Sequence, residues 1–192
     1  MPQLSRITIY PIKSLDGVTF PAVELIGSGA LRNDRRFAVC SPDGKFVNGK
    51  RFAAIHRLRA QFTPDLANVT LAVDDGPATT FQLAEGDADL EAWLSDYFQM
   101  PVHVKENLET GFPDDLDSPG PTLIGTATLE AVCRWFPTID LEEARRRFRT
   151  NLEIASSSAS DECPAFWEDR LFCEDAAPES RNAAVSRRCG DA

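Results

Sequence analysis

The sequence predicts a mainly β fold with some α, divided into two domains. Thirteen prolines, eleven glycines and twelve phenylalanines in 192 residues describe short apolar segments cut by turns, a composition typical of β-rich folds rather than helix bundles. Apolar and polar residues alternate through much of the first eighty residues, whereas only three later stretches switch to helical spacing. A hydrophobic content of 43% is enough to bury a core.

Taken in order, residues 6–10, 18–20 and 23–26 read as strands. Residues 36–40 and 45–48 flank Ser41-Pro42-Asp43-Gly44, whose Pro-Asp-Gly gives a reverse turn its mechanism, so they are expected to form a hairpin. Residues 57–62, 68–73 and 79–83 continue the meander, with Asp74-Asp75-Gly76-Pro77 as a further turn.

From Asp87 to Phe98 the period changes. Leu90, Trp93, Leu94, Tyr97 and Phe98 fall on one helical face, and Pro101 closes the segment. The aromatic stripe is read as packing rather than as a cofactor box. Residues 102–106 form one more strand, and 109–121 are acidic and rich in Pro and Gly, which marks a boundary. The expected domains are therefore 1–105 and 122–192, joined by a connector at 106–121.

In the second domain Leu129, Val132, Cys133 and Phe136 define an amphipathic helix ended by Pro137, with Thr126 or Thr128 read as its N-cap. Asp140 caps a third helix whose acids come first and bases last, with Glu142/Arg146 and Glu143/Arg147 at i,i+4 spacing. Arg145, Arg146 and Arg147 are read as paired helix charges rather than a nucleic-acid patch. Residues 149–154 return to a strand, on which Arg149 and Asn151 share one face. Residues 156–160 are a low-complexity loop, and no periodicity organises residues 174–192.

The formal charge of −10 disfavours nucleic acid and anionic lipid at long range, while leaving room for a local cationic pocket. No apolar run approaches the roughly 18 residues of a membrane span, and the N-terminus lacks a signal-peptide pattern. The five cysteines are odd in number and lack C-x-x-C spacing, as reduced thiols in a cytoplasmic setting would. His56 and His103 are far apart in sequence, without metal-ligand spacing.

Two motifs suit an anionic ligand. Tyr10-Pro11-Ile12-Lys13-Ser14 presents an ammonium and a hydroxyl at a Pro-stiffened corner, and Asn33-Asp34-Arg35-Arg36-Phe37 opens a strand with a cationic pair. Lys13 reads either as a phosphate contact or as a solvated strand-end lysine, and Ser14 either as a donor to the anion or as a turn residue. Arg35 has the planar fork for bidentate anion binding, with a salt bridge to Asp34 as the alternative, and Arg36 is expected on the opposite face.

The pattern around these residues, from about Leu4 to Phe172, resembles the MOSC family, which includes the molybdenum cofactor sulfurase C-terminus and the amidoxime-reducing component. The family's Tyr-Pro-[Ile/Val]-Lys-Ser corner, its Asp-Arg-x-[Phe/Trp] strand entry and its Arg-Phe-Arg-Pro-Asn segment are matched here at Tyr10–Ser14, Asp34–Phe37 and Arg147–Asn151, with Thr150 in place of the Pro. Ser118, before Pro119, resembles an Asp-[Ser/Thr] step, and residues 126–129 resemble a Thr-x-[Ser/Thr]-Leu helix start.

The resemblance implies an N-terminal β-barrel-like domain followed by an incomplete MOSC β-barrel domain. It implies the molybdenum cofactor, Mo-molybdopterin, held by Lys13, Ser14, Arg35, Ser118, Arg149 and Asn151. Ser186-Arg187-Arg188-Cys189 is the nearest equivalent of the family's Cys-x-Arg-Cys-like turn, which makes Cys189 the implied molybdenum ligand and catalytic residue. Two neighbouring arginines would favour its thiolate. The implied activity is reduction of N-hydroxylated or related small molecules, with electrons from a separate redox protein. Family members are also associated with pyridoxal phosphate, but no Schiff-base lysine pattern stands out here. From about residue 174 the match fails, as in a frameshifted or alternative terminus. A non-catalytic cofactor or sulfur carrier and an inactive truncated homologue therefore stand as alternatives.

Overall fold

The computed structural model describes residues 2–156 and 164–172. The chain divides into two compact units, residues 9–120 and residues 1–8 with 121–192, so the first strand goes with the C-terminal half rather than with the segment that follows it. Cys189 with Ser186, Arg187 and Arg188, the loop residues 157–160, Cys163, Cys173 and the tail from 174 lie outside the described residues.

The unit of residues 9–120 is mainly β. Here β2 (Val18–Phe20), β3 (Phe37–Cys40), β4 (Leu58–Phe62), β5 (Asn68–Val73), β6 (Thr79–Gln82) and β7 (His103–Glu106) accompany one helix, α1 (Ala88–Phe98). Strands β4, β5 and β6 form the expected antiparallel meander, in register from Leu58↔Val73 to Asn68↔Gln82. Strand β3 pairs antiparallel with β7, from Phe37↔Glu106 to Cys40↔His103. Among the described residues these sheets do not close into a ring.

The pairing of β3 departs from the expected hairpin. The turn forms as predicted, with Ser41 N–H donating to Lys45 O at 2.9 Å, but the returning arm keeps only the Cys40↔Phe46 bridge and the bond from Val47 N–H to Val39 O. Asn48 stops it there. Its carbonyl takes the N–H groups of Arg51 and Phe52, and its side chain takes Arg51 again, which bends the chain away. Ala53–Arg57 then form a 3-10 helix that no sequence signal announces. The predicted strand at 23–26 is likewise reduced to the Leu25↔Leu31 bridge.

Helix α1 matches its sequence signals. The Asp87 side chain accepts from Leu90 N–H, Leu90 and Leu94 are buried, and Gln99 ends the helix in the left-handed region at φ 54°. The core gathers Ile12, Leu15, Phe37, Val39, Val47 and Ile55 with Leu58, Val69, Leu71, Leu90, Leu94 and Val104. Trp93 and Tyr97 pack against it, as the periodicity implied.

In the other unit β1 (Pro2–Ile9) pairs antiparallel with β9 (Leu152–Ser156), and β9 pairs in parallel with β8 (Leu123–Gly125). Helices α2 (Thr126–Trp135) and α3 (Leu141–Phe148) cover a small core of Ile124, Leu129 and Ala144. Asp140 caps α3 through Glu143 N–H at 2.7 Å, as predicted. The N-cap of α2 is Gly125, which makes no side-chain cap. Its N–H is taken instead by Glu168, a negative charge at the positive end of the helix. Thr126 donates to Glu153 at 2.8 Å, and the Thr128 hydroxyl accepts from Phe166 N–H at 2.7 Å.

Candidate functional site

The two motifs picked out in the N-terminal half form one structural unit. Pro11 fixes a corner after Tyr10, and the following turn places Ser14 in the left-handed region at φ 71°. The second corner lies alongside. Tyr10 N–H donates to Asp34 Oδ1 at 2.8 Å, Arg35 N–H to Tyr10 O at 2.8 Å, Phe37 N–H to Pro11 O at 2.8 Å, and Lys13 N–H to Phe37 O at 2.8 Å. Arg35 is itself left-handed at φ 50°, so Asp34 and Arg35 belong to a turn and the strand begins only at Phe37.

Lys13 is 5% exposed, not a solvated strand-end residue. Its ammonium donates to Phe112 O at 2.9 Å and to Asp114 Oδ1 at 2.7 Å, and lies 5.3 Å from the centre of the Phe46 ring. The Asp114 side chain is 83% exposed. Hydrogen bonding to Lys13 lowers the Asp114 pKa against the effect of partial burial, and the charges of Lys13, Arg35 and Lys50 add to the lowering.

Arg35 pairs with Asp34 and faces the Tyr10 ring, its guanidinium carbon 5.7 Å from the ring centre. The salt bridge foreseen as an alternative is therefore present. Arg36 pairs with Glu106 of β7 and lies over the Phe37 ring. The segment carrying Asp114 is tied to the same corner. Phe112 N–H donates to Arg35 O at 2.8 Å, and Phe112 meets Phe46 edge-on with centroids 5.6 Å apart. Gly111 sits so close that a Cβ there would lie 2.6 Å from Asp34 O. Ser118 is exposed in the irregular stretch that follows.

Arg149 and Asn151 belong to the other unit, and their expected sharing of a strand face does not hold. Arg149 ends α3 in the left-handed region at φ 54°, its N–H donating to Arg145 O, and β9 starts only at Leu152. The helix simply runs longer than the strand pattern suggested. Asn151 is 1% exposed. Its Oδ1 accepts from the N–H and hydroxyl of Thr122, and its Nδ2 donates to Thr8 O at 3.0 Å. The amide thereby clips β1 to the start of β8.

Beside it, Glu153 is buried and bonded by Arg145 at 2.7 Å through each carboxylate oxygen. Burial would raise the Glu153 pKa, but the bonds from Arg145 and Thr126 outweigh it and the net shift is downward. Glu143 pairs with both Arg146 and Arg147, and Glu142 with Arg145 and Arg6, so the expected Glu142/Arg146 pair is not the one formed.

Sequence reasoning missed Asp114. The only signal for Asp114 was its place in the acidic connector, where it read as a solvated boundary residue; its partner Lys13 lies 101 positions away. Among the described residues, no group of three or more His, Cys, Asp or Glu side chains is placed to hold a metal, and no helix is long and apolar enough to cross a membrane.

The profile described as the MOSC N-terminal beta barrel domain matches residues 1–106 of the 192. The chain belongs to this family. The MOSC match covers both corners, Lys13 and Arg35 included, and ends before the connector that supplies Asp114. A search of curated proteins finds no match to this MOSC chain.

Proposed function

We propose that this MOSC protein binds the molybdenum cofactor through its phosphate at Lys13 and Arg35, and serves in reduction of N-hydroxylated or related small molecules. The observation that carries the reading is Lys13: a buried lysine whose carboxylate partner among the described residues, Asp114, has an exposed side chain. Burying an ammonium is costly, and retaining it at a rigid corner beside a guanidinium is the arrangement an anionic group needs.

The residues present fit the phosphate end of the cofactor. Lys13 would act as a point charge, Ser14 as a hydroxyl donor from its left-handed turn, and Arg35 as a planar donor already oriented by Asp34. Ser118, Arg149 and Asn151 complete the proposed contact set by family resemblance, with Cys189 as the proposed thiolate ligand. The bound cofactor supplies two-electron redox chemistry at an oxo-molybdenum centre. The chain's part is to bind and orient it, with a small-molecule substrate, a separate electron-donor protein and a cytoplasmic location belonging to the same reading.

The test is the molybdenum and pterin content of the purified full chain, with turnover of an N-hydroxylated amidine under a chemical reductant. Close to one molybdenum and one pterin per chain, with turnover, is the expected result. Cofactor without turnover would leave a carrier, and a chain with neither metal nor pterin after exposure to the cofactor would overturn the proposal.

A further inference from the structure

Asp114 stands in an unusual relation to Lys13. Its carboxylate oxygen is 2.7 Å from the ammonium of a lysine whose side chain is 6% exposed, while the acid's own side chain is 83% exposed. The lysine is held independently of the acid: Phe112 O takes one hydrogen, the Phe46 ring lies against the ammonium, and the Lys13 backbone is bonded to Phe37. The acid is held by far less. It follows Pro113 in a stretch with no regular secondary structure, two residues past the last backbone tie to Arg35. A rigid cation paired with a loosely carried anion is the geometry of a site whose anion can be exchanged.

Resting on the proposed phosphate site, we propose that the Asp114 carboxylate is an internal placeholder, displaced when a ligand's phosphate takes its position on Lys13, and that it sets a threshold which weakly held anions do not pass. The threshold follows from tethering and charge. The tethered carboxylate competes at an effective concentration in the millimolar range. A monoanion that replaces it exchanges one negative charge for another beside Lys13, so it displaces the carboxylate only at comparable concentration. A phosphate dianion brings a second charge and three terminal acceptor oxygens against the carboxylate's two, enough to fill Lys13 and leave others for Arg35.

The proposal also accounts for the charge balance of the corner. Asp34 is committed to the Tyr10 N–H and to Arg35, so Asp114 is the acid that can leave without unpicking the fold. Its departure opens no buried backbone group, because Phe112 O keeps its bond to Lys13.

The experiment is a titration of the full chain with inorganic phosphate at pH 8, followed by 1H–15N shifts of the Lys13 and Phe112 amides, with formate as the monoanion. Four proteins are compared: wild type, Asp114→Asn, Lys13→Met, and Asp75→Asn as a control with the same change in net charge at a distant exposed turn. Asp114→Asn is expected to bind phosphate three- to tenfold more tightly, and formate more tightly by the same factor. Asp75→Asn is expected to behave as wild type, and Lys13→Met to lose binding. An unchanged or weaker affinity in Asp114→Asn, with binding still lost in Lys13→Met, would overturn the placeholder and leave the phosphate site standing. Equal gains in Asp114→Asn and Asp75→Asn would also overturn it, as a general charge effect. Identical behaviour of all four proteins would remove both the placeholder and the site.

Discussion

Asp34 holds Tyr10 by its backbone: Oδ1 accepts the Tyr10 N–H at 2.8 Å, while the other carboxylate oxygen pairs with Arg35. One side chain therefore serves the fold and the candidate site together. It joins the two corners, and it sets the direction of the guanidinium that the anion would meet.

Replacing Asp34 with Ala leaves the buried Tyr10 N–H without its acceptor and the guanidinium without its anchor. The expected loss is about 2 kcal/mol of stability, measured by urea unfolding. Asp34→Asn, which keeps an acceptor for Tyr10, is expected to lose less. Equal losses in the two variants would show that the Tyr10 bond is not what matters.

Gly111 is the tie between the connector and the Asp34 corner. It lies at φ +63°, and an added Cβ would come within 2.6 Å of Asp34 O and 3.0 Å of Arg35 O. Both partners are backbone atoms that cannot swing aside. Gly111→Ala is expected to cost more than about 1 kcal/mol and to loosen the Phe112 amide, seen as faster hydrogen exchange. Unchanged exchange at Phe112 would contradict the tie.

In the other unit, Glu153 is the acid to test. It is buried, receives two bonds from Arg145 and one from Thr126, and Glu153→Gln would leave the Arg145 charge without its main partner. The expected loss is about 3 kcal/mol, read as a lowered melting temperature. A neutral effect would mean that Glu142 alone suffices for Arg145.

The same residue gives a pH dependence with a definite sign. Its folded-state pKa lies below the ordinary glutamate value, so its contribution is complete above the unfolded pKa of about 4.3 and is lost as pH falls through the lowered folded value. Stability should therefore fall with acidification below about pH 5, more steeply in wild type than in Glu153→Gln. Parallel acid profiles for the two proteins would refute the assignment.

Much of the local structure was legible because its causes are local. Asp87 and Asp140 announce the starts of α1 and α3, and the turn at residues 41–44 carries its own Pro-Asp-Gly signal. What was hidden depends on partners far along the chain. Nothing in Lys45–Asn48 reveals that β3 will pair with β7, far along the chain, and nothing in Pro2–Ile9 reveals that β1 will join β9. Arg149 was misplaced because α3 extends through Phe148 and spends Arg149 as its left-handed end. The corner holding Lys13 and Arg35 could be picked out from motif chemistry, but Asp114 could not, since an acid in an acidic connector looks the same whether or not it meets a buried lysine.

The most direct measurement is the pterin retained by the full chain purified as wild type and as Lys13→Met, with molybdenum counted in parallel. Removing a charge-assisted contact worth about 1.5 to 3 kcal/mol weakens binding roughly ten- to 150-fold, so the variant should emerge largely free of pterin while the wild type retains close to one per chain. Equal pterin in the two proteins would contradict the account at its centre, because the phosphate would then be held elsewhere.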